Sequence, residues 1–197
     1  MKALFYSFFA LVIFGCASTS DTTINLGNTP ENEIVLITDK CDSKCTEKVN
    51  STFVFESSGS LFKKDAPTSY VILSEIDDQR GTNTYYDPSG SFNSTWDGGY
   101  QIKTSPKKKT IKMYPTAVHM SPSEETEIVF TAQPGQEYFV GSIFRRENVG
   151  NVQINYWSPI VMNTNSLEIL IPSKGIEWRK YCIAAREFSA SVACPKE

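Results

Sequence analysis

The chain has 197 residues, with 19 Lys and Arg against 22 Asp and Glu, one His, and a formal charge of −3. That balance excludes a nucleic-acid binder working through a basic surface, and a single histidine excludes a histidine-rich metal centre. A content of 40% hydrophobic and 21% charged residues is ordinary for a globular domain and far from a disordered chain.

Lys2 precedes an apolar run from Leu4 to Phe14. The run is too short to cross a bilayer, which takes ~20 apolar residues. A charged start, an apolar core and a small residue at the cut are the anatomy of a secretory signal. The run closes on Ile13-Phe14-Gly15-Cys16, which resembles the lipobox of bacterial lipoproteins, where a small residue precedes an acylated cysteine. Phe14 is bulkier than the usual occupant of its position, and the resemblance covers Met1 to Ser18. It implies that residues 1–15 are a signal peptide, that Cys16 carries lipid, and that the protein sits in the cell envelope. Ala17-Ser18, without an aspartate, is similar to cargo sorted to the outer membrane. Two or more acyl chains give stable attachment where one does not. The alternative is a cut near Ala17 that discards Cys16. Removing residues 1–15 takes away one lysine and leaves 18 basic against 22 acidic residues, a balance of −4.

Residues 16–33 are small and polar and read as a flexible tether of roughly 20–25 Å. Residues 34–197 read as a single β-rich globular domain. Ile34 to Thr38 is a β-branched run expected as a buried strand. Cys41 and Cys45 follow in a polar stretch expected as loop, then Thr52 to Phe55 as a second strand and Tyr70 to Leu73 as a third. With Cys16 acylated, Cys41, Cys45, Cys182 and Cys194 are an even number in an oxidising compartment, which favours disulfides over zinc. Three connectivities are open; the local pairs Cys41–Cys45 and Cys182–Cys194 are preferred because each is close in sequence.

From Gly81 to Gly99 turn formers alternate with aromatics. Tyr85, Tyr86, Phe92 and Trp96, beside Asn93 and Asp97, form a candidate binding surface, since aromatics on a loop call for an explanation. The competing reading is that the rings fold back to plug the end of the domain. The oxygens of Asp87, Ser89, Ser91, Asn93 and Asp97 match no EF-hand spacing, so no metal is assigned. Ile102 to Thr104 and Thr110 to Tyr114 read as strands around Lys107-Lys108-Lys109, a run expected to guard an exposed turn or edge.

Glu127 to Ala132 and Gln136 to Phe144 flank Gln133-Pro134-Gly135 and predict a β-hairpin. The pattern Phe130-Thr131-Ala132-x-Pro134-Gly135-x-x-Tyr138-Phe139-Val140 is similar to a hairpin of small β-sandwich lipoproteins of uncharacterised function and of PEGA-like modules. Val152 to Trp157 is a further strand, expected to break at Pro159 and resume at Ile160 to Met162. Leu167 to Ile171 is another. Ile176 to Phe188 has near-helical apolar spacing and predicts a C-terminal helix, with a strand as the alternative because Trp178 and Tyr181 favour sheets. The fold class is mainly β, an antiparallel β-sandwich of Ig-like or similar type with a C-terminal helix.

His119 lies between Val118 and Met120 and reads as structural, so no Ser-His-Asp or Cys-His constellation is assigned. Glu75, Asp77 and Asp78 read as a solvated strand end and not as a glycosidase pair. The expectation is therefore a lipid-anchored envelope protein, with no enzymatic activity and no cofactor. It would act as a structural or protein-interaction module with an envelope protein partner. The alternative is a module binding cell-wall glycan or another envelope ligand through residues 83–100.

Overall fold

The computed structural model describes residues 20–53, 68–69, 71–82, 92–93, 100–115, 125–184 and 191–194. In chain order the elements begin with β1 (Ser20–Ile24), β2 (Val35–Thr38), α1 (Ser43–Thr52), β3 (Thr68–Ser69), β4 (Val71–Ile76), β5 (Gln79–Thr82) and β6 (Phe92–Asn93). They continue with β7 (Tyr100–Thr104), β8 (Lys108–Pro115), β9 (Thr126–Thr131), β10 (Glu137–Val149), β11 (Val152–Asn163), β12 (Glu168–Ile171), β13 (Arg179–Ala184) and β14 (Ser191–Val192).

The strands form two sheets. The larger runs β1-β7-β2-β10-β11-β13-β14, with β3 also on β10 and β12 also on β11; the smaller runs β6-β5-β4-β8-β9. Period-two patterning explains how they pack. On β9 buried and exposed residues alternate strictly, so Ile128 and Phe130 face inward while Val129 faces out. They meet Leu73, Ile111 and Met113 of the small sheet and Val35, Ile37, Ile102, Tyr138 and Val140 of the large one in a single core. The opposite face of the large sheet is covered by α1, whose Cys45 and Val49 lie with Phe53 against Phe139, Ile143, Ile160 and Met162. The protein is thus mainly β, two layers of sheet with a helix on the outside.

Several sequence expectations are corrected. The large sheet is mixed, not antiparallel: β1 runs parallel to β7 and β2 parallel to β10. Residues 16–33 are not a tether throughout, because Ser20–Ile24 is a sheet strand and Glu31–Glu33 a short 3-10 helix. The stretch around Cys45 is helix where loop was expected. Asp42 caps it by accepting from the Cys45 amide at 2.8 Å, and Cys45 and Val49, four residues apart, supply its buried face. Thr52 ends that helix instead of beginning a strand.

Gln133-Pro134-Gly135 does not join a hairpin. β9 pairs with β8 in the small sheet, and β10 pairs with β11, β2 and β3 in the large one. The turn is therefore a corner that carries the chain from one layer to the other. Gly135 takes a positive φ of 66° there, and a Cβ on it would stand 2.6 Å from the Asn32 carbonyl oxygen. The long hairpin is instead β10–β11, closed by Gly150 and Asn151, with Val149 opposite Val152. Pro159 sits inside β11 without breaking it. On the edge away from β10, β13 ends opposite Trp157 and β12 begins opposite Val161, so the missing N–H meets a gap in the ladder. The C-terminal helix is absent over 179–184, which is β13, antiparallel to β11. Tyr181 and Cys182 are buried by that pairing, and sheet contacts outweigh a weak helical spacing.

Candidate functional site

Cys16, Tyr85, Tyr86, Trp96, Asp97 and His119 lie outside the described residues. Of the aromatic stretch, Phe92 and Asn93 form the backbone of β6, parallel to Gly81–Thr82. The structure brings Cys41 to Cys45 and Cys182 to Cys194 as disulfides, each with a Cα–Cα separation of 5.2 Å. The first ties the helix start to the loop that leads into it. The second closes β13 against the segment that follows β14.

Lys109 departs from the expectation of a solvated lysine run. Lys107 and Lys108 are exposed, but Lys109 is 0% exposed. Its Nζ donates to Asp77 Oδ2 at 2.7 Å and to Thr104 Oγ1 at 2.8 Å. Asp77 and Asp78 are the loop of the β4–β5 hairpin, both with positive φ (47° and 64°), as a primed turn requires. Asp77 Oδ1 also accepts from the Thr110 amide at 3.0 Å. Burial lowers the Lys109 ammonium pKa, while the hydrogen bond and charge of Asp77 act to raise it. With two acceptors fixed on it, this lysine joins the two sheets; it is not a poised nucleophile. Glu75 is likewise engaged, 2.6 Å from Lys112.

An open hollow of about 560 Å³ lies on the outer face of α1, lined by Ser43, Thr46, Glu47, Asn50 and Ser51. At the end of the large sheet where β1 enters, Asp39 Oδ1 accepts from the Tyr100 amide at 3.1 Å, and Tyr100 Oη donates to the Val140 carbonyl at 2.8 Å. Burial raises the pKa of both side chains.

Among the described residues, binding-type side chains gather on the ribbon of β10, β11 and β13 beyond that end. The Arg145 guanidinium lies 4.4 Å from the Tyr156 ring centre and 5.6 Å from that of Trp178. Arg146 lies 5.5 Å over Phe144, and Arg179 lies 5.5 Å over Trp157. Such cation–π contacts hold guanidinium groups in place without neutralising them. Glu147 meets Arg145 at 3.0 Å and accepts from Tyr156 Oη at 3.2 Å. Sequence reading missed this cluster because its members are scattered over 144–180 and only strand register unites them. The Gly150-Asn151 pair between apolar runs was the available signal for the hairpin.

Among the described residues no group of three or more His, Cys, Asp or Glu could hold a metal ion, and no helix is long and apolar enough to cross a membrane. No family model, no curated protein and no solved structure matches the chain.

Proposed function

We propose that this chain is a lipid-anchored protein of the cell envelope, probing or bracing its surroundings as a structural or protein-interaction module. The observation that carries the reading is the N-terminal pattern: Lys2, the apolar run to Phe14, and Ile13-Phe14-Gly15-Cys16 at its end. The other four cysteines lie within two local disulfides, which suits an oxidising compartment. The sandwich, in Ig-like layering, is the rigid body on that anchor, and the outer membrane is its proposed location.

Substituting Cys16→Ser tests the anchor. The wild type is expected to incorporate radioactive fatty acid and to stay with the membrane fraction, whereas the variant should incorporate none and accumulate as unprocessed or soluble protein. Equal labelling of the two overturns the reading. Cross-linking in intact cells tests the module: a discrete adduct with an envelope protein is expected, and retention on isolated cell-wall glycan without such an adduct would favour the ligand-binding alternative.

A further inference from the structure

We propose that the distal part of the β10–β11 ribbon, with β13, is a membrane-contact surface that rests on the anionic headgroups of the bilayer holding the anchor. The proposal rests on the lipid-anchor reading of Cys16.

Strand register supplies the geometry. Ser20 is opposite Tyr100, Gln101 is opposite Thr38, and Thr38 is opposite Phe139. Ser20 is therefore level with Val140, and the Tyr100 Oη bond to the Val140 carbonyl spans that level. The chain before Ser20 leaves the sheet at this end. Four residue steps separate Ser20 from Cys16, a reach of at most ~14 Å. β10 runs out of the same end, and nine steps from Val140 to Val149 cover ~30 Å. Three strand-to-strand steps separate β1 from β10, and at ~20–25° of twist each they turn β10 by roughly 60–75°. Projected on the β1 direction, the ribbon then reaches about 8–15 Å past Ser20. The ribbon tip thus comes to the height of the anchor and crosses the bilayer surface obliquely. A domain held by an 18-residue tether would carry no such constraint; one held by three residues does.

The side chains at that height fit an anionic surface. Strand register places Arg145 and Lys180 with Tyr156 on one face of the ribbon, and Arg146 with Asn155 and Arg179 with Trp157 on the other, so both faces carry cations toward headgroups where the tip meets the bilayer obliquely. Residues 143–157 and 176–184 hold four basic residues against Glu147 and Glu177, an excess of +2 in a chain whose balance without residues 1–15 is −4. Phe144, Tyr156 and Trp178 are half-buried among the cations, as aromatic residues are at membrane–water interfaces. Beyond them Val149, 50% exposed, projects at the tip. Lipid phosphates are acceptors for exposed guanidinium and ammonium groups, and each basic side chain near an anionic leaflet adds to the attraction.

The test uses the lipidated protein reconstituted into vesicles, with amide hydrogen exchange read over residues 146–152. On vesicles containing phosphatidylglycerol these amides should exchange about tenfold more slowly than on pure phosphatidylcholine vesicles, and the protection should fade as salt screens the charges. The Arg146→Glu, Lys180→Glu double variant should lose that protection, while exchange of the β2 and β7 amides stays at the wild-type rate and shows the fold intact. Equal exchange on the two vesicle types, or unchanged protection in the variant, overturns the proposal. If Cys16 takes up fatty acid and the ribbon is still unprotected, the anchor stands and this surface does not. If Cys16 takes up none, both readings fall.

Discussion

Asp77→Asn isolates the charge that holds Lys109 in the interior. Asparagine tolerates the positive φ of this turn position, and its side-chain oxygen can still accept from the Thr110 amide. What disappears is the counter-ion 2.7 Å from a lysine that is 0% exposed. Removing one partner of a buried pair costs ~3–5 kcal/mol. Asp77 is itself 11% exposed, so water can partly replace it and the lower figure applies. There is also a ceiling, because Lys109 can release its proton. With an unfolded-state pKa of ~10.4, that release costs ~4.6 kcal/mol at pH 7 and only ~0.5 kcal/mol at pH 10. A loss of about 3 kcal/mol lowers Tm by roughly 6–12 °C for a chain of this size. The sign of the pH dependence follows from burial, which already lowers the Lys109 pKa and is opposed by Asp77. Without Asp77 the pKa falls further. The folded state then binds fewer protons than the unfolded state above the folded pKa, so stability rises with pH up to the unfolded value. Thermal unfolding followed by circular dichroism from pH 7 to pH 10 should show the deficit of the variant shrinking to a small remainder. A deficit under 2 °C at pH 7, or one that stays constant to pH 10, would refute the reasoning.

The Cys182–Cys194 bridge closes a longer loop than Cys41–Cys45. Replacing each pair by serine should therefore cost ~3 and ~2 kcal/mol respectively, read from denaturant midpoints at matched slope. Asp42→Ala removes the acceptor of the Cys45 amide and should lower stability by ~1 kcal/mol in the same assay. Gly135→Ala forces a side chain into a positive-φ corner against the Asn32 carbonyl. It should cost ~1–3 kcal/mol, whereas Gly150→Ala, with open space around its Cβ position, should cost only the ~1 kcal/mol of the backbone conformation.

Strand existence was legible along most of the described chain, and strand partnership was not. Ile34 to Thr38, Ile102 to Thr104 and Thr110 to Tyr114 carry the β-branched and alternating patterns that sheet burial demands, and each lies in or overlaps a strand. Partnership depends on where a turn sends the chain. Pro134-Gly135 has the same local chemistry whether it folds a strand back on its own sheet or passes it to the facing one. The choice is made by the burial of Tyr138 beside Phe130 across the core, with ring centres 5.1 Å apart. Lys109 was illegible for a related reason. In sequence it is the last of three lysines, and only the turn at Asp77, 32 residues earlier, distinguishes it from its neighbours. The helix had a readable start in Asp42 and a readable stripe in Cys45 and Val49, but its polar face resembles loop. The ribbon cations were visible individually, and their alignment needed the β10–β11–β13 register.

The parallel placement of β1 and β2 sets the order in which the chain can complete its large sheet. Ser20 must wait for Tyr100 and Leu36 for Glu137, so neither N-terminal strand has its partner when it emerges from the ribosome. At ~5–20 residues per second, the 80 residues between Ser20 and Tyr100 take roughly 4–16 s to appear. The β4–β5 hairpin, closed by the two-residue turn Asp77-Asp78, lies within that stretch and can close during that interval. Contacts so distant in sequence make folding slow. For that interval the apolar strand Val35–Thr38 presents unpaired edges, so the nascent chain should depend on a holding chaperone more than its finished stability would suggest.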